Sequence, residues 1–298
     1  MELHQLRYFV AAAEAESISR AADRCGIAQP SLSQQIKKLE SSLGVPLFDR
    51  LGRGVALTDA GRALLPRARR ILGAVEEAES NLQVDLDEGA GRLAVGAIPT
   101  MAPYLLPGAL TQLRREFPRC DIVVREDFTE NLIEAVIDNA IDVAVVSTPI
   151  DHDLIDLDVI GVDPLLVCLP TKHPLLSRGG ITLRDLRDQP TVTLHEMHCL
   201  GQQISGFCAA KRLARNVVCR TTQLSTVLEF VRLGLGVSLI PEMAAKHDHN
   251  PERGYVKLTR QAPTRDIALA WRTGRTKPRL AMEFAGMLRQ LVQHRESA

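Results

Sequence analysis

The chain has 298 residues with 36 basic and 36 acidic side chains, so its formal net charge is zero, and 45% of its residues are hydrophobic. This length allows two or three domains, each with its own core. The sequence has no secretory signal pattern and no apolar run near the roughly 20 residues of a membrane span. We therefore expect a cytoplasmic protein, whose six cysteines are not a disulfide framework.

The first quarter of the chain carries a local positive charge. Residues 17–70 contain ten Lys and Arg against four Asp and Glu, which gives a net charge of +6. The asymmetry indicates either a surface that binds a polyanion or an ordinary solvated face.

Three helices are predicted in this quarter, over residues 4–14, over 18–25 after the N-cap Ser17, and from Gln29-Pro30 onward. The third helix has an apolar stripe of Leu32, Ile36, Leu39 and Leu43. Its opposite face is small, polar and basic, which favours a helix that enters the DNA major groove over a plain helical bundle. The predicted DNA-contacting residues of this helix are Gln29, Pro30, Ser31, Ser33, Gln34, Lys37 and Lys38.

Residues 47–57 are predicted to form two short strands around a basic turn, a wing that places Arg50 and Arg53 near the sugar-phosphate backbone. The stretch AADRCGIAQPSLSQQIKKLESSLGVPLFDRLGRGVALTDAG resembles the winged helix-turn-helix of the LysR-type transcriptional regulators. The resemblance implies a homo-oligomer, expected as a dimer of dimers, that binds promoter DNA and acts on RNA polymerase. It also implies an effector-sensing domain in the rest of the chain.

A long helix is predicted from the cap Thr58 to about residue 88. Apolar residues at 64, 68, 71, 75, 78 and 82 follow a heptad pattern that is typical of two paired helices. The alternative is a helix packed on its own domain. Pro66 lies within the pattern and should bend its first turns. We predict a DNA-binding domain over 1–58, a linker and dimerisation helix over 59–90, and a regulatory domain over 91–298.

From residue 92 onward, predicted strands and helices alternate, which favours parallel, doubly wound sheets. A late strand over 266–272 and a helix over 279–294 predict that the chain returns to its first lobe. Lobe I then comprises about 91–162 and 266–298, and lobe II about 163–265. We expect an α/β fold with two lobes around a cleft, similar to the periplasmic binding proteins.

The stretch HCLGQQISGFC places Cys199 and Cys208 nine residues apart. A helix beginning near Leu200 would put Cys199 at its start, where backbone N–H groups favour a thiolate, and Cys208 on an apolar face. Nine helical residues span about 13.5 Å, whereas a disulfide needs Cα atoms within about 7 Å. The two cysteines can therefore bond only if the helix unwinds, and Gly201 and Gly206 make unwinding easier.

Two alternatives for these cysteines stay open, namely buried fillers of the core and a zinc site shared with His195 and His198. Thr100 and Thr129 lie near helix N-termini beyond strand ends, where α/β sheets bind ligands. Each threonine could cap its helix, contact a ligand, or do both.

The pattern HCLxxxxxGFC, with IPTxxPYLLP upstream, is similar to the OxyR-like, peroxide-sensing subgroup of the LysR-type regulators. The likeness implies that Cys199 reacts with hydrogen peroxide and that Cys208 resolves the product into a disulfide. It implies that Thr100, Thr129 and His198 hold the peroxide or its water. Arg265, in RDIAL, matches a basic residue near the reactive thiol of that subgroup. The implied reset is reduction by cellular thiols, and we expect neither a cofactor nor a metal.

Two other functions remain open at this point. In the first, a LysR-type regulator binds a small organic anion between its lobes and the cysteines are incidental. In the second, the chain is a thiol peroxidase, for which a helix-turn-helix would be unnecessary.

Overall fold

The computed structural model describes residues 1–50, 54–84, 91–178, 180–211, 216–259 and 262–296. The helices are α1 (Leu3–Ala15), α2 (Ile18–Cys25), α3 (Gln29–Leu43), α4 (Asp59–Val84), α5 (Ala102–Glu116), α6 (Thr129–Ile137), α7 (Cys199–Ala210), α8 (Leu224–Arg232), α9 (Glu242–Ala245) and α10 (Arg279–Glu296). The strands are β1 (Phe48–Arg50), β2 (Val55–Leu57), β3 (Gly91–Ala97), β4 (Cys120–Glu126), β5 (Val143–Val146), β6 (Ile155–Pro170), β7 (Pro190–Leu194), β8 (Asn216–Thr221), β9 (Ser238–Pro241), β10 (Arg253–Val256) and β11 (Thr264–Arg272).

These elements form two compact units. The first unit comprises Met1–Gly91 and Ile137–Ala140, and the second comprises Arg92–Val136 and Ile141–Ala298. Among the described residues, no helix has the length and apolar character that a bilayer crossing requires.

The three predicted N-terminal helices are confirmed. The Ser17 hydroxyl accepts the Arg20 N–H at the start of α2, and Gly26 ends that helix in the left-handed conformation at φ 65°. Leu32 and its stripe partners on α3 pack into a core with α1. The placement of Leu43 in that stripe was wrong, because α3 ends at this residue and leaves it 39% exposed.

The predicted wing strands are confirmed, since β1 and β2 pair antiparallel from Phe48 opposite Leu57. The Glu40 carboxylate of α3 accepts the backbone N–H groups of Leu47 (2.8 Å) and Phe48 (3.3 Å), which fastens the wing to the third helix. Arg53 and the side chain of Arg50 lie outside the described residues.

Helix α4 begins as predicted, because the Thr58 hydroxyl accepts the Gly61 N–H at 3.0 Å. The helix continues through Pro66 to Val84, and its predicted end near residue 88 lies outside the described residues. Ala68 is buried in the N-terminal core, whereas Ile71 is 37% exposed. The first part of the heptad pattern therefore packs on its own domain, and helix pairing by the rest stays a prediction.

The second unit is organised around β6, which serves both lobes. Over Ile155–Pro164 this strand pairs antiparallel with β11, and beyond Pro164 it pairs with β9 and β10. The sheet order is β10-β6-β11-β5-β3-β4, with β9 also paired to β6, and β7 pairs with β8 in a separate two-stranded sheet. The return to lobe I is confirmed, because β11 pairs with β5 and α10 packs against α5.

The expectation of parallel sheets holds for only part of the strands. Strands β3 and β5 are parallel, as are β7 and β8, but β6 and β11 run antiparallel to their partners. β6 begins at Ile155 and so spans the predicted boundary between the lobes at 162–163. Its first half alternates polar and apolar residues and is partly exposed, so the sequence lacks the continuous apolar run of a buried strand.

Candidate functional site

The outer face of α3 carries the predicted DNA-contacting residues together. Gln29, Pro30, Ser31, Gln34, Lys37 and Lys38 are exposed, and Ser33 is partly exposed. The stripe of Leu32, Ile36 and Leu39 faces the other way, into the core. The geometry is that of a recognition helix, and base contacts by individual residues stay a prediction.

Helix α7 carries both candidate redox cysteines, and its predicted position is confirmed. Cys199 is its first residue, and Cys208 lies buried near its C-terminal end. A Cβ on Gly201 would come within 2.5 Å of the His195 carbonyl oxygen, so only glycine lets the helix start pack on the preceding loop. Both cysteines are free thiols.

Cys208 faces the core of lobe II rather than the reactive end of α7. It packs beside Ile204 and lines a small cavity of about 30 Å³ with Thr193 and Ser238. The unequal environments predicted for the two cysteines are thus present, with one at the helix start and one sheltered.

Burial raises the pKa of the Cys199 thiol above its usual 9.0. The Arg265 charge opposes this shift most strongly, followed by the Thr129 hydroxyl and the Leu200 backbone N–H. The backbone N–H groups at the helix start lower the thiol pKa, as expected, but the net pKa is raised. Desolvation outweighs the backbone groups, and the thiol is mostly protonated at neutral pH.

The two threonines do not cap helices. Thr129 Oγ1 is buried, lies near enough to Cys199 to lower the thiol pKa, and has no hydrogen-bond partner among the described residues. The Thr100 hydroxyl accepts a hydrogen bond from Arg265 Nη1 at 2.8 Å, and α5 begins two residues later. The capping alternative is therefore wrong for both, and both hydroxyls keep a proton available for a ligand.

Arg265 is held by Asp163, a residue that the sequence reasoning missed. The two lie directly opposite each other on β11 and β6, and Arg265 Nε and Nη2 donate to Asp163 Oδ2 at 3.0 and 2.9 Å. Asp163 Oδ1 accepts the Met243 N–H, and Arg265 Nη2 also donates to the Thr100 carbonyl. Both side chains are buried, so the guanidinium is fixed in direction.

His198 is buried and neutral. Its Nε2 lies 2.6 Å from the Thr222 carbonyl oxygen, which can only accept, so Nε2 carries the proton and Nδ1 does not. Burial lowers the pKa of His198, and this effect exceeds the opposing effect of the Thr222 hydrogen bond. The Phe128 ring of lobe I packs edge-on against the imidazole, with 4.8 Å between the two ring centroids.

The zinc alternative has no support in this geometry. The described part of the chain contains no group of three or more His, Cys, Asp or Glu residues that could hold a metal ion. The Nε2 of His198 is occupied by the Thr222 carbonyl, and Cys208 points into the lobe II core.

Gln203 is a second residue that the sequence reasoning missed. It lies one helical turn after Cys199, and its Nε2 donates to the Ser147 hydroxyl (2.9 Å) and the Thr148 carbonyl (2.6 Å) of lobe I. The i, i+4 spacing from Cys199 was the available signal, because such residues share one face of a helix.

Together these features define a class of protein, a winged helix-turn-helix regulator with a two-lobed α/β sensor domain. Residues 3–62 match the bacterial regulatory helix-turn-helix protein family, lysR type, and residues 86–293 match the LysR substrate binding domain. The chain belongs to the LysR family and to its OxyR-like subgroup.

Relatives and solved structures agree with this assignment. The "Hydrogen peroxide-inducible genes activator" of Pectobacterium carotovorum is 31% identical over 98% of this chain and 97% of its own length. Full-length OxyR of Pseudomonas aeruginosa, solved as a Cys-to-Asp mutant, is 30% identical over 97% of this chain and 98% of its own, with a TM-score of 0.79. An H2O2-bound cysteine mutant of Corynebacterium glutamicum OxyR is 32% identical over 98% and 93% of the two chains, with a TM-score of 0.66.

Proposed function

We propose that this chain is a DNA-binding transcription regulator that senses hydrogen peroxide by reversible disulfide formation between Cys199 and Cys208. The observation that carries the proposal is the buried Thr129 hydroxyl, which lies close enough to the Cys199 thiol to lower its pKa and makes no hydrogen bond of normal geometry among the described residues. A small polar oxidant would satisfy that hydroxyl and meet the sulfur at the same place. Two similar proteins support the same chemistry, namely the hydrogen peroxide-inducible genes activator of Pectobacterium carotovorum and the H2O2-bound OxyR mutant of Corynebacterium glutamicum.

The proposed reaction has two steps. The Cys199 thiolate attacks one oxygen of hydrogen peroxide, the O–O bond breaks, and a sulfenic acid forms with release of hydroxide, which becomes water on protonation. The Cys208 sulfur then attacks the sulfenic sulfur, and a second water leaves as the disulfide forms. Two thiols and one peroxide thus give one disulfide and two waters. Cellular thiol reductants return the two electrons by disulfide exchange.

Five side chains of the site would support the first step. Arg265 favours the thiolate electrostatically, and Asp163 holds the guanidinium in place. Thr100 and Thr129 can donate hydroxyl protons to peroxide, while the unprotonated Nδ1 of His198 can accept one. Burial raises the pKa of the thiol, so Arg265 and the Thr129 hydroxyl act against that effect when they favour the thiolate.

The second step requires α7 to unwind. About 13.5 Å of helix rise separates Cys199 from Cys208, and the two side chains point to opposite sides. A disulfide tolerates Cα atoms no more than about 7 Å apart. Closure of the disulfide is therefore a conformational switch in the sensor domain. In this proposal, the switch changes how the helix-turn-helix binds the promoter and how the regulator contacts RNA polymerase.

In this proposal the protein acts stoichiometrically and is not an enzyme. Each regulator chain is oxidised once by one molecule of peroxide. The chains form a homo-oligomer, arranged as a dimer of dimers, which binds promoter half-sites through α3 and the wing. Its place is the cytoplasm, because promoter DNA and the reducing thiols lie there. The division into a DNA-binding domain over 1–58, a linker helix over 59–90 and a sensor domain over 91–298 is part of the proposal.

The test is mass spectrometry of the full chain after one equivalent of hydrogen peroxide, with promoter footprinting on the same sample. We expect a Cys199–Cys208 crosslink and a changed footprint in the wild type. Cys199→Ser should bind DNA but respond to no peroxide, and Cys208→Ser should stop at the sulfenic acid. An unchanged transcriptional response in Cys199→Ser would refute the proposal and favour an effector bound between the lobes.

A further inference from the structure

One side chain of the helix that carries both cysteines makes hydrogen bonds to the opposite lobe. Gln203 belongs to α7 in lobe II, yet its amide nitrogen donates to Ser147 Oγ and to the Thr148 carbonyl at the end of β5 in lobe I. Thr148 in turn donates its hydroxyl to the Asp266 carboxylate on β11. The contact thus connects the middle of α7 to two adjacent strands of lobe I.

The amide is held from one side only. Gln203 Nε2 makes both hydrogen bonds, whereas Gln203 Oε1 is buried with no hydrogen-bond partner in the part of the chain that the structure describes. Ser147 is itself buried and Gln203 is partly buried, so the contact is largely shielded from water. The amide is held in one arrangement, because a displaced Nε2 would leave the Thr148 carbonyl without this partner.

Disulfide closure and this contact are incompatible. Gln203 lies between Cys199 and Cys208, and bringing those two residues from about 13.5 Å of helix rise to within about 7 Å must displace the backbone between them. A hydrogen bond of 2.6 Å does not survive a displacement of several ångströms. We infer that Gln203 is the positioning residue through which the redox state of α7 reaches lobe I: its amide locks the two lobes in the reduced protein, and disulfide formation withdraws it.

This inference rests on the proposed function, and the chain offers a matched control. Gln202 is the preceding residue on the same helix, and its amide donates to the Glu196 carbonyl within lobe II at 2.9 Å. Replacing either glutamine by leucine removes one amide from α7. Only the replacement of Gln203 removes a bond to lobe I.

The experiment uses the full chain as Gln203→Leu, Gln203→Glu and Gln202→Leu. Glutamate keeps the shape of Gln203 but cannot donate to the Thr148 carbonyl, so it tests the same contact if the leucine variant fails to fold. Hydrogen exchange of the segment 146–150 is measured in the reduced and the oxidised protein, and disulfide closure is timed after a pulse of hydrogen peroxide.

In both Gln203 variants we expect the reduced protein to show the exchange of the oxidised wild type over 146–150. Disulfide closure in these variants should be about fivefold faster than in the wild type. This factor corresponds to the loss of one net hydrogen bond, about 1 kcal/mol, that stabilises the helical state of α7. Gln202→Leu should match the wild type over 146–150. If the Gln203 and Gln202 variants show the same hydrogen exchange over 146–150 and the same rate of disulfide closure, the inference is overturned. Failure of the wild type to form the disulfide would instead refute the proposed function, whereas the comparison over 146–150 in the reduced proteins would still decide the role of Gln203.

Discussion

Gly206→Ala isolates the unwinding of α7 from the chemistry at Cys199. Gly206 lies in the middle of α7 and is exposed to solvent. Apart from its chain neighbours and the backbone of its own helix, no atom of the described residues lies within 4 Å of a Cβ placed on Gly206. Alanine therefore fits without strain and stabilises the helical state by about 1 kcal/mol. Since closure proceeds from the unwound state, the population of that state and the closure rate should both fall about fivefold.

The assay is a rapid-quench experiment with hydrogen peroxide, in which a sulfenic-acid trap and mass spectrometry follow Cys199 and the disulfide separately. Sulfenic acid formation should keep its wild-type rate, and the acid should accumulate before closure. The control is Gly286→Ala in α10, a second helical glycine with open space around its Cβ position. If Gly206→Ala closes its disulfide as fast as Gly286→Ala, helix unwinding does not limit closure and the reasoning is refuted.

Three further predictions concern other parts of the chain. Because burial raises the pKa of Cys199 above 9.0, its reaction rate with hydrogen peroxide should rise about tenfold per pH unit from pH 6.5 to 8.5, without a plateau, in stopped-flow measurements. Asp163→Ala should lower the free energy of unfolding by about 3–5 kcal/mol in urea titrations, because it leaves the buried Arg265 guanidinium unpaired. Lys37→Ala should weaken binding to specific and nonspecific DNA alike, and should reduce the salt slope of the binding constant by about one.

The N-terminal quarter could be predicted almost completely from the sequence, because its signals are local. Ser17 before α2, Pro30 at the start of α3 and Thr58 before α4 are capping signals that act within one helical turn. Leu43 is the exception. It continues the 4, 3, 4 spacing of the apolar stripe, but it is the last residue of α3 and is 39% exposed.

In the sensor domain, the order of strands and helices could be predicted but their pairing could not. The first half of β6 alternates polar and apolar residues, which is the pattern of a half-exposed strand, but the change of partner at Pro164 leaves no local sequence signal. Asp163 was missed for the same reason, since its role depends on lying opposite Arg265, 102 residues later in the chain. A single Asp before a proline reads as a turn until the register of β6 and β11 is known.

The pKa of Cys199 shows the limit of reasoning from one helix. A cysteine at a helix start gains from the backbone N–H groups, and this much follows from the sequence. Burial depends on what other elements place around the thiol, and here it outweighs that gain. Arg265 opposes the burial from another strand, yet its own charge is matched by Asp163. The partly compensated guanidinium opposes the effect of burial without reversing it, so the net pKa of the thiol stays raised. In the proposed function, this keeps Cys199 from indiscriminate reaction, and the thiol responds where Thr129 and Thr100 hold the oxidant against it.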